Sequence, residues 1–228
     1  METAEMISMT KPAPQFLPSQ LETIAPVQVG SFYNREMSPS SLKEKFLFAT
    51  FEIIAEKGAE ALSASELIKK TESSKGALFH HFKTLDELCL ASLAFFKEYV
   101  KDSIRVGPSQ NLSEFLRAFA EDSKKRQCQA SYFHLSHFFK DRAIRDTRFQ
   151  SLLAEAFQIY SVKMTEYALA YMPAGTNHEK VKSIMIFFHL SMERIFYQSV
   201  VLNMPQHLND QMPLLLEMVE AQLNKVKS

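Results

Sequence analysis

Four lysines and two histidines crowd one short stretch of this chain, SASELIKKTESSKGALFHHFKTLDEL, which runs from Ser63 to Leu88. Between Lys69 and Lys83, the cations Lys69, Lys70, Lys75 and Lys83 face only Glu72, a local excess of three positive charges. His80 and His81 add two imidazoles. Ammonium groups of this kind neutralise phosphates, and the polar opening of a short helix can reach phosphates and base edges in a DNA major groove. Gly76 permits close backbone approach, and Ala77 is small enough to lie against a base edge or a thymine methyl. The candidate DNA-facing set is therefore Ser63, Ser74, Lys75, Gly76, Ala77, Phe79, His80, His81 and Lys83.

A second constellation is His134-x-x-His137 with Asp141 four residues on. On one helix face such a set can hold a divalent metal. Phe133, Phe138 and Phe139 surround it, and no fourth ligand is adjacent in sequence. Pocket-lining or surface histidines fit better, so no metal and no cofactor is assigned. Catalysis finds no foothold: GxSxG, HExxH and glycine-rich phosphate loops are absent from the sequence, and nothing in it asks for an enzyme.

The elements that position the basic stretch are written in its punctuation. Ser63-x-x-Glu66 and Thr84-x-x-Glu87 read as capping boxes, and Ser73-Ser74 offers a further cap between them. This spacing predicts a two-turn helix, a tight turn, a second two-turn helix and then a longer one, which is helix-turn-helix punctuation. An earlier helix starts near Ser38-Pro39 with Ser41-x-x-Glu44 as its box, and Gly58 closes it. Leu42, Phe46, Ala49, Ile53 and Ile54 give that helix an apolar face to cover the motif pair, with Leu62, Leu67, Ile68, Leu78, Phe82 and Leu88 opposite.

The residues SKGALFHHFKTLDEL also resemble the DNA-binding signature of the TetR (tetracycline repressor) family of bacterial transcriptional regulators. The likeness runs from about Leu42 to Leu93 and is strongest at Ser74–Phe82 and Leu88. It implies an all-α chain, with a three-helix DNA-binding domain over 38–84 and a larger helical ligand-binding and dimerisation domain over 85–228. Ser74, Lys75 and His81 fall on matching contact positions. Two positions depart from the family pattern. Glu72 stands where a small residue, often glycine, is usual, which opens the turn to a different shape. Phe79 stands in place of the usual tyrosine and lacks the hydroxyl that commonly reaches a phosphate.

Composition agrees with a soluble helical protein: 46% hydrophobic, 23% charged, five glycines and no tryptophan in 228 residues. Net charge is zero, so an affinity for nucleic acid has to come from local placement. Cys89 and Cys128 form no disulfide pattern, which fits a reducing cytoplasm. No apolar run reaches membrane-spanning length. Residues 1–37 carry four of the nine prolines and few charges, and read as a flexible arm.

Helix 4 is expected from Leu85 toward Ile104, stopped by Gly107-Pro108. The rest reads as helices near 111–126, 130–140, 145–172, 178–203 and 207–226. The last two carry apolar residues on more than one side, which fits the two-helix homodimer face that the resemblance implies. Aromatic and methionine residues crowd this half: Phe115, Phe119, Tyr132, Phe133, Phe138, Phe157, Tyr160, Tyr167, Phe188, Met192 and Phe196. They are core residues, or the lining of an effector cavity with Tyr132, His134, His137, Tyr160, Tyr167 and His189 as polar anchors. No pair of cations stands among them, so a largely apolar or aromatic small molecule is expected. The combined expectation is a ligand-responsive repressor that binds palindromic operator DNA as a homodimer in the cytoplasm. The alternative is a helical small-molecule or metal sensor or carrier without DNA binding.

Overall fold

The computed structural model describes residues 39–103 and 109–226. Both the N-terminal arm and the helix stop at Gly107-Pro108 lie outside these residues. Among the described residues there are nine α-helices and no strand, an all-α chain as the sequence predicts.

The first helix, α1 (Leu42–Lys57), starts where Ser41 Oγ accepts from the Glu44 amide, and ends at Gly58. Gly58 has a φ of 86° and donates to the Ile54 carbonyl, the left-handed close that glycine alone adopts without strain. A single 3-10 turn (Ala59–Ala61) leads to α2 (Ala64–Thr71), and α3 (Lys75–His81) follows after three residues. Phe46, Leu47, Ala49 and Ile53 of α1 meet Leu67 of α2, Leu78 and Phe82 around α3, and Leu88, the start of the next helix. That small core fixes the angle between α2 and α3. It accounts for nearly every apolar residue of the motif except Phe79.

The long helix α4 (Leu85–Ser103) leaves this unit and enters the larger helical region. A second core clamps the two parts together. Phe51, Ile54 and Ala55 of α1 and Cys89 and Leu93 of α4 pack on Phe138 and Phe139 of α6 (Ala130–Arg145) and Phe149 of α7 (Thr147–Leu169). Asp146 is the only residue between α6 and α7. Its amide donates to the Arg142 carbonyl, and its carboxylate accepts from the Arg148 amide at 2.8 Å. One residue thus closes one helix and caps the next.

The third core joins α5 (Leu112–Gln127), α7, α8 (His178–Val200) and α9 (Gln206–Val226). Along α8, Val181, Met185, Phe188, Met192 and Phe196 are fully buried, at the spacing of one helix face. Each contributes about 1.5–3 kcal/mol by leaving water. The opposite face of the same helix leaves Phe187 and Leu190 about half exposed, as are Leu214 and Met218 of α9. Among the described residues no helix is long and apolar enough to cross a membrane.

Candidate functional site

The turn between α2 and α3 decides how α3 is presented. Glu72 closes α2 in the left-handed region, at φ 52° and ψ 43°. The Ser73 amide reaches back to the Ile68 carbonyl at 3.1 Å, and the Glu72 amide points to Lys69. This is the double-bonded helix end that normally carries glycine. The turn therefore keeps the shape that glycine would give it, and the glutamate bears the strain. Ser74 then caps α3 by accepting from the Ala77 amide at 3.1 Å, and Ser63 caps α2 through the Glu66 amide at 3.2 Å. Thr84 caps α4 through the Glu87 amide, and the Glu87 carboxylate returns to the Lys83 amide. Glu66 does not return to its cap. It pairs with Lys57 at 2.7 Å, which holds its carboxyl below the usual range.

What remains on the outside of α3 is chemically active and structurally idle. Lys75, Gly76, Phe79, His80 and Lys83 are exposed, whereas Leu78 and Phe82 are buried. His81 is half-buried, its ring 6.3 Å from Phe46 and 6.4 Å from Phe82, so it leans on the core and reaches outward only in part. A Cβ added at Gly76 would meet nothing closer than Ser74 Oγ at 3.8 Å. The fold itself has no need of glycine there, although glycine in a helix costs roughly 0.5–1 kcal/mol relative to alanine. Lys70 does not belong to this outward set. Burial works against its charge, but Glu52 at 3.2 Å and Glu56 at 3.3 Å hold the ammonium above its ordinary range. It ties α2 to α1 instead of facing a ligand.

At the base of α4 a charged hub joins the two parts of the molecule. Asp86 accepts from Arg142 on one oxygen and from Arg148, at 3.0 Å, on the other. The Arg142 guanidinium lies over Phe138 and Phe149, at 4.7 and 5.4 Å from the ring centres. Beside the hub runs a cleft of about 880 Å³, lined by Lys57–Glu60 on one wall and by His134, His137, Asp141 and Arg145 on the other.

The structure divides the predicted ligand-binding residues among separate places. Phe115, Phe119, Phe133, Phe188, Met192 and Phe196 are buried in the C-terminal core, with Tyr132, Tyr160 and Tyr167 packed against it and His189 buried beside Tyr160. Phe138 belongs to the clamp between the two parts. His134 and His137 stand exposed along the cleft: His134 Nδ1 lies 2.9 Å from the Ala55 carbonyl of α1, whereas the His137 ring is 6.2 Å from Phe133 and 5.7 Å from Tyr197 of α8. Phe157 is 36% exposed. Asp141 pairs with Arg145 at 2.9 Å, and among the described residues no group of three or more histidines, cysteines or acids could hold a metal ion.

Two features escaped the sequence reading. Asp86, with its arginines 56 and 62 residues away, leaves no local pattern. Ser123 and Gln127 did leave one: Phe115, Phe119, Ser123 and Gln127 step by four along the buried side of α5, so two polar residues occupy core positions.

Comparison with known proteins bears directly on the N-terminal unit. The model for bacterial regulatory proteins of the tetR family matches residues 46–91, from the first core residue of α1 to the start of α4. Over 53 residues the chain is 42% identical to the HTH-type transcriptional regulator QacR of Staphylococcus aureus (strain Mu50 / ATCC 700699), a match covering 23% of this chain and 28% of QacR. The chain spans 28% and 35% of the length of two curated relatives that it matches. The whole fold resembles SCO4454, a TetR-family transcriptional regulator from Streptomyces coelicolor, with a TM-score of 0.57 at 17% identity over 82% of this chain and 96% of that one. It also resembles the multidrug binding protein EbrR complexed with imidazole, with a TM-score of 0.51 at 15% identity over 82% and 96%. Residues 46–91 are thus a helix-turn-helix unit that matches the bacterial regulatory proteins of the tetR family, and the fold around it is the one those regulators share.

Proposed function

We propose that this chain is a ligand-responsive transcriptional repressor that binds palindromic operator DNA as a homodimer. The outer face of α3 carries the proposal: an exposed Lys75–Gly76 opening and a Lys83 flank that the fold itself does not use. Residues 38–84 act as the DNA-binding unit and 85–228 as the effector and dimer unit. One α3 reads only a few base pairs, so specificity needs two copies about one DNA turn apart, ~34 Å. The half-exposed apolar residues Phe187 and Leu190 of α8, with Leu214 and Met218 of α9, supply a self-complementary face for that pairing. An effector held in the C-terminal core releases the operator by favouring a conformer in which α4, bound to α6 and α7 through Asp86, changes the separation of the two α3 helices. EbrR, a multidrug binding protein of similar fold, is in keeping with such an effector. The protein acts in the cytoplasm, where its DNA is.

The test is a gel-shift titration on the DNA flanking the chain's own gene, run with Gly76→Ala beside the unmodified protein. Gly76→Ala is expected to fold at least as stably, because the site has room for a methyl group, and yet to bind the operator about tenfold more weakly. Unchanged operator affinity in that variant would remove α3 as the reading helix.

A further inference from the structure

Four side chains inside the C-terminal core end in polar atoms that no neighbour satisfies: Ser123 Oγ, Gln127 Oε1, the Tyr160 hydroxyl and His189 Nδ1. Ser123, Gln127 and His189 are 0%, 5% and 8% exposed. They reach inward from α5, α7 and α8. The Tyr160 and His189 rings lie 4.4 Å apart, Phe119 is 6.5 Å from Tyr160, and Phe157 is 6.3 Å from His189. Ordinary packing in this core looks different. Directly after Tyr160 on α7, Ser161 donates to the Phe157 carbonyl, and about a turn further on Thr165 donates to the Ser161 carbonyl, each at 2.7 Å. Buried polar groups are almost always hydrogen-bonded, and several left open at one point call for a partner from outside.

The charge of that partner follows from the surroundings. The nearby formal charges are already matched, Arg126 with Asp122 and Lys140 with Glu193. Burial pushes the His189 imidazole down to about 4, against the pull of Glu193, so it is neutral at physiological pH. Burial also pushes the Tyr160 phenol well above its usual range, although Arg126 and a close but unbonded Ser123 act the other way. A carboxylate or an ammonium would enter without a counter-charge. A plain hydrocarbon would leave all four groups as they are. Gln127 Oε1 can only accept, so the guest must bring a donor; the Ser123 and Tyr160 hydroxyls can donate, so it must also bring an acceptor.

Given the effector-responsive reading above, we infer that Ser123, Gln127, Tyr160 and His189 anchor an uncharged aromatic molecule bearing hydroxyl and carbonyl groups. The rings of Phe119 and Phe157 take its flat faces. In the conformer described here the side chains around this point are packed together, so the guest must part α5 from α7 and α8. It therefore prefers a different conformer, and that preference is what an inducer requires.

The experiment uses the full-length dimer and three probes of similar size, measured by calorimetry with operator binding followed in the same samples. They are 4-hydroxyacetophenone, the hydrocarbon 4-ethyltoluene and the anion 4-hydroxybenzoate. The neutral phenol is expected to bind and to release the operator, and the other two to bind at least tenfold more weakly. Tyr160→Phe should weaken phenol binding tenfold or more without lowering the thermal midpoint of the free protein, because the hydroxyl it removes has no partner. Ser123→Ala should behave in the same direction. Equal binding of the hydrocarbon or the anion overturns the assignment. So does unchanged phenol affinity in Tyr160→Phe, a marked loss of its stability, or a failure of the phenol to bind at millimolar concentration. In each of those cases an intact operator shift leaves the regulator reading standing, whereas loss of the shift in the unmodified protein defeats that reading instead.

Discussion

Two places where the described residues offer unused hydrogen-bonding groups differ in what waiting costs. On the outer face of α3, Lys75, His80 and Lys83 stand in water, which satisfies them until a partner arrives. In the core, no protein group bonds Ser123 Oγ, Gln127 Oε1, the Tyr160 hydroxyl or His189 Nδ1, and a buried group left without any partner costs on the order of 1–3 kcal/mol. A surface reader can therefore be rigid and preformed. A buried reader stores a bias, because any conformer that brings partners to those groups recovers part of that cost. The difference teaches why the first suits DNA, which must meet the same geometry each time, and the second suits a signal that has to change one.

The contrast breaks most sharply if the two functions are separated by assembly. Replacing Phe187 and Leu214 with glutamate puts charges on the proposed dimer face. Light scattering should then report monomers, and operator affinity should fall by about 100-fold or more, since two α3 helices must act together. Ligand binding within each protomer should survive. A double variant that still shifts operator DNA at the original concentration would place the dimer face elsewhere.

Next in size is a pH effect confined to the interior. His189 is held at about 4 when folded, against 6.5 for the free side chain. The unfolded chain therefore takes up the proton first as pH falls. Stability is fully present above pH 6.5 and declines as pH drops toward about 4, by on the order of 3 kcal/mol. His189→Leu should flatten that part of the profile in urea titrations at pH 4.5 and 7.5. An identical pH dependence in the variant would show that His189 is not buried neutral.

On the outer face, Lys75→Ala should weaken binding about tenfold on any sequence and reduce the slope of log affinity against log salt by about one, as expected for one phosphate contact. An unchanged slope would mean that Lys75 does not touch the backbone of DNA. The smallest effect belongs to the turn that aims α3. Glu72→Gly relieves a left-handed glutamate and should stabilise the protein by about 1 kcal/mol, seen as a rise in thermal midpoint. A fall would mean that the glutamate side chain repays its backbone strain.

The N-terminal unit was legible in the sequence because its information is local. Ser41, Ser63, Ser74 and Thr84 each cap the helix they precede, and Gly58 closes α1 in the conformation its position demands. The capping residue sits within three positions of the amide it satisfies, so spacing alone reveals it. Lys70 counts toward the local positive charge of the stretch, but its carboxylates lie 14 and 18 positions earlier, on α1, and only the α1–α2 packing brings them to it. His134, His137 and Phe138 share a face of α6, but the sequence could not say which neighbour each meets: His134 reaches α1, His137 packs on Tyr197 of α8, and Phe138 joins the clamp between the two parts. Helix periodicity tells which residues travel together, not which neighbour they meet. Ser123 and Gln127 were readable as polar residues on an apolar row. Only the meeting of α5 with α7 and α8 shows that nothing answers them.

The one-residue joint at Asp146 has a mechanical consequence. Most helix pairs are tied by several residues of loop, which act as a clutch: one helix can tilt while the other stays still. Between α6 and α7 there is no clutch. Asp146 is bonded on both sides, to the Arg142 carbonyl and to the Arg148 amide, so the joint has almost no backlash. Because α6 bears on α1 and α7 bears on α4, a small tilt started in the core passes to both supports of the helix-turn-helix unit at once. The pair works as a bell crank pivoting on a single aspartate, and a glycine inserted after Asp146 is the spacer that would let it slip.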